Sequence, residues 1–178
     1  MKQIEEIITP FYEKQVTYDY GCVMLHFTFW DLPVIQSQIT NQHIYTINNN
    51  KRFGLETKPH VTLLYGLHHK ITETDVAEAL SKFNYSECVV DNVSMFQRKY
   101  DVLKFDVSGS GIVDGNTSLR KLKHTIDFPK YEPHLTVAYL KPGHGERYIK
   151  KLSRKKYKLN PTHLEFTRPN GKRYKIHI

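Results

Sequence analysis

The stretch Pro59-His-Val-Thr-Leu-Leu-Tyr65 is repeated later in the chain as Pro133-His-Leu-Thr-Val-Ala-Tyr139. The two copies share Pro, His, Thr and Tyr, and aliphatic residues or alanine fill the other positions. Each copy is typical of a β-strand, on which side chains at i and i+2 share a face, so each His lies beside its Thr. Val61 and Leu135 then face a core. No packing rule requires His and Thr twice in the same register, so the repeat points to function.

The rest of the chain reads as short strands and helices without a dividing linker. Strands are predicted over 22–30, 61–65, 87–96, 102–107, 134–140, 162–168 and 173–178, the last two forming a hairpin at Asn170-Gly171. Helices are predicted over 31–39, 72–83, 117–126 and 146–152. Strands in runs, interrupted by a few helices, indicate an α+β fold with mostly antiparallel sheets.

The segments between these elements are predicted to be loops. They are residues 40–57, which are polar, and residues 108–115, which hold three glycines. Residues 1–17 are expected to be an N-terminal appendage in which a short apolar stripe ends at Pro10. We predict that residues 1–178 form one domain.

Composition narrows the class of protein. The chain has 178 residues, 39% hydrophobic and 25% charged, which suits a domain with a core and not a disordered chain. No apolar run is long enough to span a membrane, and the polar N-terminus predicts a cytoplasmic protein. Cys22 and Cys88, both in apolar surroundings, are expected to be core thiols. Nothing in the sequence indicates the oligomeric state.

Positive charge is concentrated at the C-terminal end. The formal net charge is +8, but residues 147–178 carry +10 and residues 1–146 carry −2. A basic surface attracts anions such as nucleotides and other phosphates, although a solvated basic face that aids solubility is an equal alternative.

The repeated His and Thr suit phosphodiester chemistry. Imidazoles titrate near neutrality, so one His can act as a base while the other, protonated, acts as an acid. Two such groups on either side of a phosphodiester can drive an in-line displacement without a metal, and the Thr hydroxyls can stabilise the charge that develops on the oxygens. A third triplet, His26-Phe-Thr28, lacks the flanking Pro and Tyr. We interpret it as a chance copy whose side chain could still line a cleft.

Metal and nucleotide-cofactor sites are not predicted. The chain has no HExxH motif, no CxxC motif and no carboxylate cluster. His68 and His69 are adjacent and would point apart on a strand. The glycines at 109, 111 and 115 lack the GKS/T sequence of a nucleotide-binding loop. We therefore expect no metal and no cofactor.

Two His-x-Thr strands in a small α+β chain resemble the two-histidine (2H) phosphoesterase superfamily. More narrowly, four stretches resemble the phage anti-CBASS nucleases, which destroy cyclic di- and trinucleotide signals. They are Asp19-Tyr-Gly-Cys-Val-Met-Leu25, Pro59-His-Val-Thr-Leu-Leu-Tyr-Gly-Leu-His68, Tyr100-Asp-Val-Leu-Lys-Phe105 and Pro133-His-Leu-Thr-Val-Ala-Tyr139.

This resemblance implies two pseudo-symmetric lobes around a central cleft, with one motif from each lobe. His60 and His134 would be the catalytic pair, and Thr62 and Thr136 would contact the phosphate. Tyr20 could stack on a nucleobase or simply pack, and Glu165 could read a base edge or form a surface ion pair.

Three functions follow from these features. The first is a metal-independent phosphodiesterase that cleaves cyclic di- and trinucleotides and so counters CBASS immunity. The second is RNA-end processing, either as a 2′,3′-cyclic phosphodiesterase or as a 2′–5′ RNA ligase-like enzyme, which the basic C-terminal segment suits. The third is a non-catalytic module that binds nucleotides or RNA.

Overall fold

A computed structural model of the protein describes residues 2–8, 16–47, 53–126, 128, 130–152 and 156–178. Its strands are β1 (Ile4–Ile7), β2 (Gly21–Thr28), β3 (His60–Leu67), β4 (Cys88–Gln97), β5 (Asp101–Ser108), β6 (His134–Leu140), β7 (Tyr157–Thr167) and β8 (Arg173–His177). Its α-helices are α1 (Leu32–Gln36), α2 (Glu73–Leu80), α3 (Ser110–Leu119) and α4 (Glu146–Leu152). None of the helices in these ranges combines the length and hydropathy that a membrane span needs.

The eight strands form one sheet in the order β1-β8-β7-β2-β3-β6-β5-β4. All the strand pairs in the described ranges are antiparallel. The prediction of an α+β fold with mostly antiparallel pairing is therefore confirmed. The first part of β4 also pairs with the first part of β7, so two strands that are distant in the sheet order meet.

The two motif strands meet at the middle of the sheet, where β3 pairs with β6 through Val61 and Leu135. Both side chains are fully buried. On one side of this seam β3 is followed by β2, β7, β8 and β1, and we call these five strands the first lobe. On the other side β6 is followed by β5 and β4, and we call these three strands the second lobe. Apolar side chains from both sides form one core cluster, because the strands alternate buried and half-exposed residues.

Several predicted elements are confirmed, with shifts at their ends. Strands β2, β4, β5 and β6 and helix α4 lie within a residue or two of their predicted bounds. Helix α2 begins after Thr72, whose side chain and that of Asp75 form the expected capping box. Helix α1 is shorter than predicted. The polar stretch 40–57 contains a 3₁₀ turn at Asn41–His43, and its residues 48–52 lie outside the described part.

The prediction of a loop over residues 108–115 is wrong, because α3 begins there and ends at Leu119, before much of the helix predicted over 117–126. The glycines that suggested a loop serve close packing. A Cβ at Gly111 would lie 2.1 Å from the carbonyl oxygen of Asn84, and one at Gly115 would lie 3.1 Å from the hydroxyl of Tyr85. The absence of a side chain at Gly111 and Gly115 therefore lets α3 pack closely against Asn84 and Tyr85.

Strand β7 starts five residues earlier than predicted and runs through Pro161. Proline has no backbone N–H to donate to a strand ladder, so a proline within a segment normally argues against predicting a strand there. Here the β2–β7 register shifts between His26 and Phe27, and Pro161 lies opposite Phe27 at that irregularity. The shift accommodates the missing donor.

The N-terminal segment also differs from the expectation. Residues 4–7 are not an appendage but form edge strand β1 of the sheet, which pairs with β8 from Ile4–Ile176 to Ile7–Arg173. Residues 9–15, including Pro10, lie outside the described part of the chain.

Candidate active site

Both motif histidines lie on the same face of the sheet. Val61 and Leu135 are register partners and point into the core, so the residues on either side of them point the opposite way. The shared face carries His60 and Thr62 from β3 and His134 and Thr136 from β6, all half-buried. His60 and Thr62 flank Val61, and His134 and Thr136 flank Leu135, so the four side chains surround the pair that joins β3 and β6. We call this surface the cleft face.

The same local structure orients both rings. Nδ1 of His60 lies 2.8 Å from the carbonyl oxygen of Lys58, and Nδ1 of His134 lies 2.8 Å from that of Glu132. A carbonyl oxygen can only accept, so each Nδ1 carries a hydrogen and each Nε2 is the nitrogen that exchanges a proton. The intervening prolines match as well: the carbonyl of Pro59 accepts from the amide of Phe27, and that of Pro133 from the amide of Val107, both at 3.0 Å.

A matched irregularity follows each Thr. The register between β2 and β3 skips Leu63, and that between β5 and β6 skips Val137, so each motif strand bulges one residue after its Thr. The bulge changes which face the following residues occupy. Tyr65 is therefore paired with Cys22, and Tyr139 with Val102, on the cleft side. This explains why the motif contains a Tyr five positions after its His.

Beside His60, the first lobe places a cluster of polar side chains on the cleft face. His26 lies opposite both His60 and His163, with ring centroids 5.7 Å and 4.7 Å away. Glu165 lies two residues after His163, with Oε2 3.9 Å from Nε2 of His26. Burial, together with the neighbouring His60, His163 and Lys58, lowers the pKa of His26 to about 3. The triplet interpreted as a chance copy thus places its His next to the motif His.

Beside His134, the second lobe places a buried lysine. Lys104 is the register partner of Thr136, is 4% exposed, and donates to Asp106 at 2.5 Å and to Ser94 at 2.7 Å. Burial opposes ionisation of Asp106. The carboxylate of Asp106 accepts hydrogen bonds from Lys104 and from the hydroxyl of Ser94, and these two bonds hold its pKa below the ordinary value. Phe96 packs edge-on against the ring of His134 with centroids 4.9 Å apart.

The electrostatic surroundings of the two motif histidines differ. Burial is the largest cause that lowers the pKa of His134, and Lys104 and His60 add to it. His60 instead has a carboxylate within reach, because Oε2 of Glu56 lies 3.8 Å from its Nδ1. Burial is the largest cause that raises the pKa of the Cys22 thiol to about 12, and the nearby carboxylate of Glu165 adds to it, so this thiol is protonated at neutral pH.

The two predicted nucleobase contacts lie in different parts of the cleft face. Glu165 belongs to the cluster beside His60. Tyr20 lies at the other end of β2, edge-on to Tyr65 with centroids 6.0 Å apart and tilted over His68 at 5.8 Å. Tyr20 therefore contacts the Tyr of the first motif and not its His.

Sequence reasoning did not assign Lys104, Asp106 or His163 to the site. Lys104 and Asp106 interrupt an apolar strand at i and i+2, which is the one signal that could have singled them out. His163 carries no such signal, and the triplet that contains His26 was interpreted as a chance copy, because only strand pairing shows that the two histidines are neighbours.

Comparison with solved structures places this fold among known proteins. The structure of Usb1 from Kluyveromyces marxianus superposes with a TM-score of 0.54 at 9% identity, over 87% of this chain and 96% of that chain. The same protein with uridine monophosphate gives a TM-score of 0.50 at 9% identity, over 86% and 96%. No family model and no curated protein matches the sequence. The chain therefore shares its overall α+β fold with Usb1, and at 9% identity this likeness concerns the fold alone.

Proposed function

We propose that the chain is a metal-independent phosphodiesterase that acts on RNA ends through His60 and His134. The observation that carries this proposal is the matched pair of rings: both lie on one face, and both keep Nδ1 on a carbonyl so that Nε2 exchanges protons. Such a pair suits a reaction in which one proton is removed as another is delivered.

In the reaction we propose, His134 is the base and His60 the acid. The lowered pKa keeps His134 neutral, so its Nε2 can take the proton from a ribose 2′-OH. The 2′-oxygen attacks the phosphorus, the bond to the departing 5′-oxygen breaks, and Nε2 of His60 protonates that oxygen. The carboxylate of Glu56 stabilises His60 while it is protonated. Thr62, Thr136 and Lys104 would stabilise the negative charge on the phosphate oxygens.

Two further features support a polynucleotide substrate. Arg173 and Lys175 of β8 are register partners of Thr167 and Glu165, so the basic C-terminal segment contributes positive charge to the same sheet face. A protein of this fold has been seen with uridine monophosphate, which supports a nucleotide as the ligand.

Cleavage of cyclic di- and trinucleotides is the second candidate. It is supported by the four stretches that resemble anti-CBASS nucleases and by aromatic groups at both lobes. Tyr20 packs against Tyr65 in the first lobe. In the second lobe the ring of Tyr139 contacts those of Phe53 and Tyr100, and the ring of Tyr45 stacks on that of Tyr100. Two such platforms could each stack one base, at about 1–3 kcal/mol per base. For this second candidate, Tyr20 and Glu165 are the proposed base contacts.

A substrate panel in excess EDTA tests the proposal. We expect an RNA oligonucleotide to be shortened from its end with 2′,3′-cyclic phosphate on the products, while DNA of the same sequence is inert because it has no 2′-OH. His60→Ala and His134→Ala should each reduce kcat about 10²–10⁴-fold, whereas exposed His69→Ala should not.

Three results would contradict the proposal. A strict metal requirement would exclude the mechanism, and a clear preference for cyclic dinucleotides would favour the second candidate. Unchanged function in folded His60→Ala would indicate a non-catalytic binding module.

A further inference from the structure

Four histidines lie side by side across four neighbouring strands. His60 of β3 is the register partner of His26 of β2, His26 is also the partner of His163 of β7, and His163 is the partner of His177 of β8. The rings of His26 and His163 are stacked, with an interplanar angle of 6°. The reaction proposed above uses only His60, so the other three histidines need a separate explanation.

Three side chains at the centre of this row converge. One ring nitrogen each from His26 and His163 and one carboxylate oxygen of Glu165 all lie within 4.8 Å of one another. The side chains of His26 and Glu165 are each 13% exposed. Nε2 of His26 is buried and makes no hydrogen bond to the residues that the structure describes. A buried nitrogen without a hydrogen-bond partner, aimed at a carboxylate, is costly unless a further ligand satisfies it.

A neighbouring hydroxyl fixes the tautomer of His163. The hydroxyl of Thr162 donates to the carbonyl oxygen of His26 at 3.2 Å, so towards Nδ1 of His163, 2.9 Å away, it can only accept. Nδ1 of His163 therefore carries the hydrogen, and Nε2 keeps its lone pair. Histidines that bind metals are commonly held by a second hydrogen bond of this kind.

The chemistry of the three donors selects the type of ion. Two imidazole nitrogens and one carboxylate form a set that binds Zn²⁺ in sites with an open fourth position. Ca²⁺ and Mg²⁺ prefer more oxygen ligands. Donors around a tetrahedral Zn²⁺ lie about 3.3 Å apart. To bind one ion, the carboxylate of Glu165 must move closer to Nε2 of His26 than its present 3.9 Å, and the stacked rings of His26 and His163 must turn out of their parallel arrangement so that both face the ion.

We propose that His26, His163 and Glu165 form a binding site for one divalent ion of the zinc class, on the cleft face beside His60 and not required for the phosphodiesterase reaction. The paired backbones of β2 and β7 keep the three residues adjacent without the ion. Lys175, the register partner of Glu165 on β8, brings a positive charge close to the site and weakens the affinity for a cation.

Titration of the EDTA-treated, dialysed full chain with Co²⁺ tests this site directly. We expect one Co²⁺ per chain, visible absorption bands of a four- or five-coordinate ion, and displacement by Zn²⁺. His163→Ala and Glu165→Gln should each weaken binding at least about tenfold, and Thr162→Val, which keeps all three ligands, should weaken it about tenfold through the lost hydrogen bond. Lys175→Met should strengthen binding, and exposed His69→Ala should leave it unchanged.

Circular dichroism of each variant shows whether it is folded, and Thr162→Val and Lys175→Met test the site without removing a ligand. Absence of stoichiometric Co²⁺ binding, or binding that none of these four substitutions alters, would overturn the proposal. Because the readout is metal binding, this result is separate from the substrate panel in EDTA: either proposal can fail while the other holds.

Discussion

At the scale of single residues, the site depends on how each imidazole is held. In both motifs a proline separates the His from the carbonyl that accepts its Nδ1–H, and that proline's own carbonyl pairs with the neighbouring strand. Proline restricts its own φ and the conformation of the residue before it, so the accepting carbonyl is held in position. The matched hydrogen bonds give both rings the same tautomer, whereas their surroundings differ, and our proposed assignment of base and acid rests on that difference.

The lowered pKa of His134 predicts the acid limb of the pH–rate profile. A base must be neutral to act, and the neutral fraction of His134 increases as the pH rises through its pKa. Since burial, Lys104 and His60 lower that pKa, kcat/KM should rise with pH through a midpoint below 6.5, the ordinary pKa of histidine. A profile of kcat/KM against pH measures the midpoint.

Lys104→Met provides a matched test of the same assignment. Removing Lys104 takes away a positive charge near His134 and leaves Asp106 without that partner, and both changes favour protonated His134. The midpoint should therefore move to higher pH, while Lys82→Met at an exposed site should not move it. A midpoint that is unchanged in folded Lys104→Met would argue against His134 as the base.

At the scale of elements, irregular points in the motif strands shape the site. The bulges at Leu63 and Val137 bring Tyr65 and Tyr139 to the cleft face. The next residue, Gly66, has a positive φ of +117°. Its carbonyl oxygen accepts a hydrogen bond from the backbone N–H of Thr125. This close approach ties the segment after α3 to β3, the strand that carries His60.

Gly66→Ala should destabilise the protein far more than Gly143→Ala. Both glycines have positive φ, +117° and +78°, so each substitution costs about 1 kcal/mol of backbone strain. Only at Gly66 would the new Cβ collide with backbone, 1.8 Å from the carbonyl oxygen of Thr125; nothing lies within 4 Å at Gly143. Urea denaturation of the two variants should give a clearly larger loss of unfolding free energy for Gly66→Ala. Equal losses would show that the close approach does not contribute to stability.

At the scale of the whole molecule, charge and sheet order act together. The excess positive charge of residues 147–178 lies in a segment that includes α4, β7 and β8. Strand β7 pairs directly with β2, so this basic segment adjoins the lobe that carries His60. An RNA strand bound at the cleft face would extend over the surface of this basic segment.

The binding of long RNA should therefore depend strongly on salt. Each phosphate neutralised on a single strand adds about 0.7 to the slope of log affinity against log salt concentration. The slope of log KM should be steeper for a long oligonucleotide than for a dinucleotide. The double variant Arg173→Gln, Lys175→Gln should reduce the slope for the long substrate only, and Lys82→Gln should have no effect. The same slope for both substrates would show that the basic segment does not contact RNA.

Prediction from sequence succeeded where a local pattern determines structure. The alternation of apolar residues in β2 and β6, the capping box at Thr72 and the basic helix α4 each depend on neighbours within a few positions. It failed where a distant partner decides the structure. Gly111 packs against Asn84, and Pro161 lies at an irregularity in the pairing with β2, so neither residue acts as its local propensity suggests.

The sequence by itself determined the motif residues of the candidate site, because His60 with Thr62 and His134 with Thr136 are set by strand periodicity and by the repeat. Only the tertiary structure decided what surrounds them: His26 and His163 beside one ring, Lys104 beside the other. Strand order and register bring these residues together, and both depend on packing between segments far apart in the chain, which no local pattern encodes.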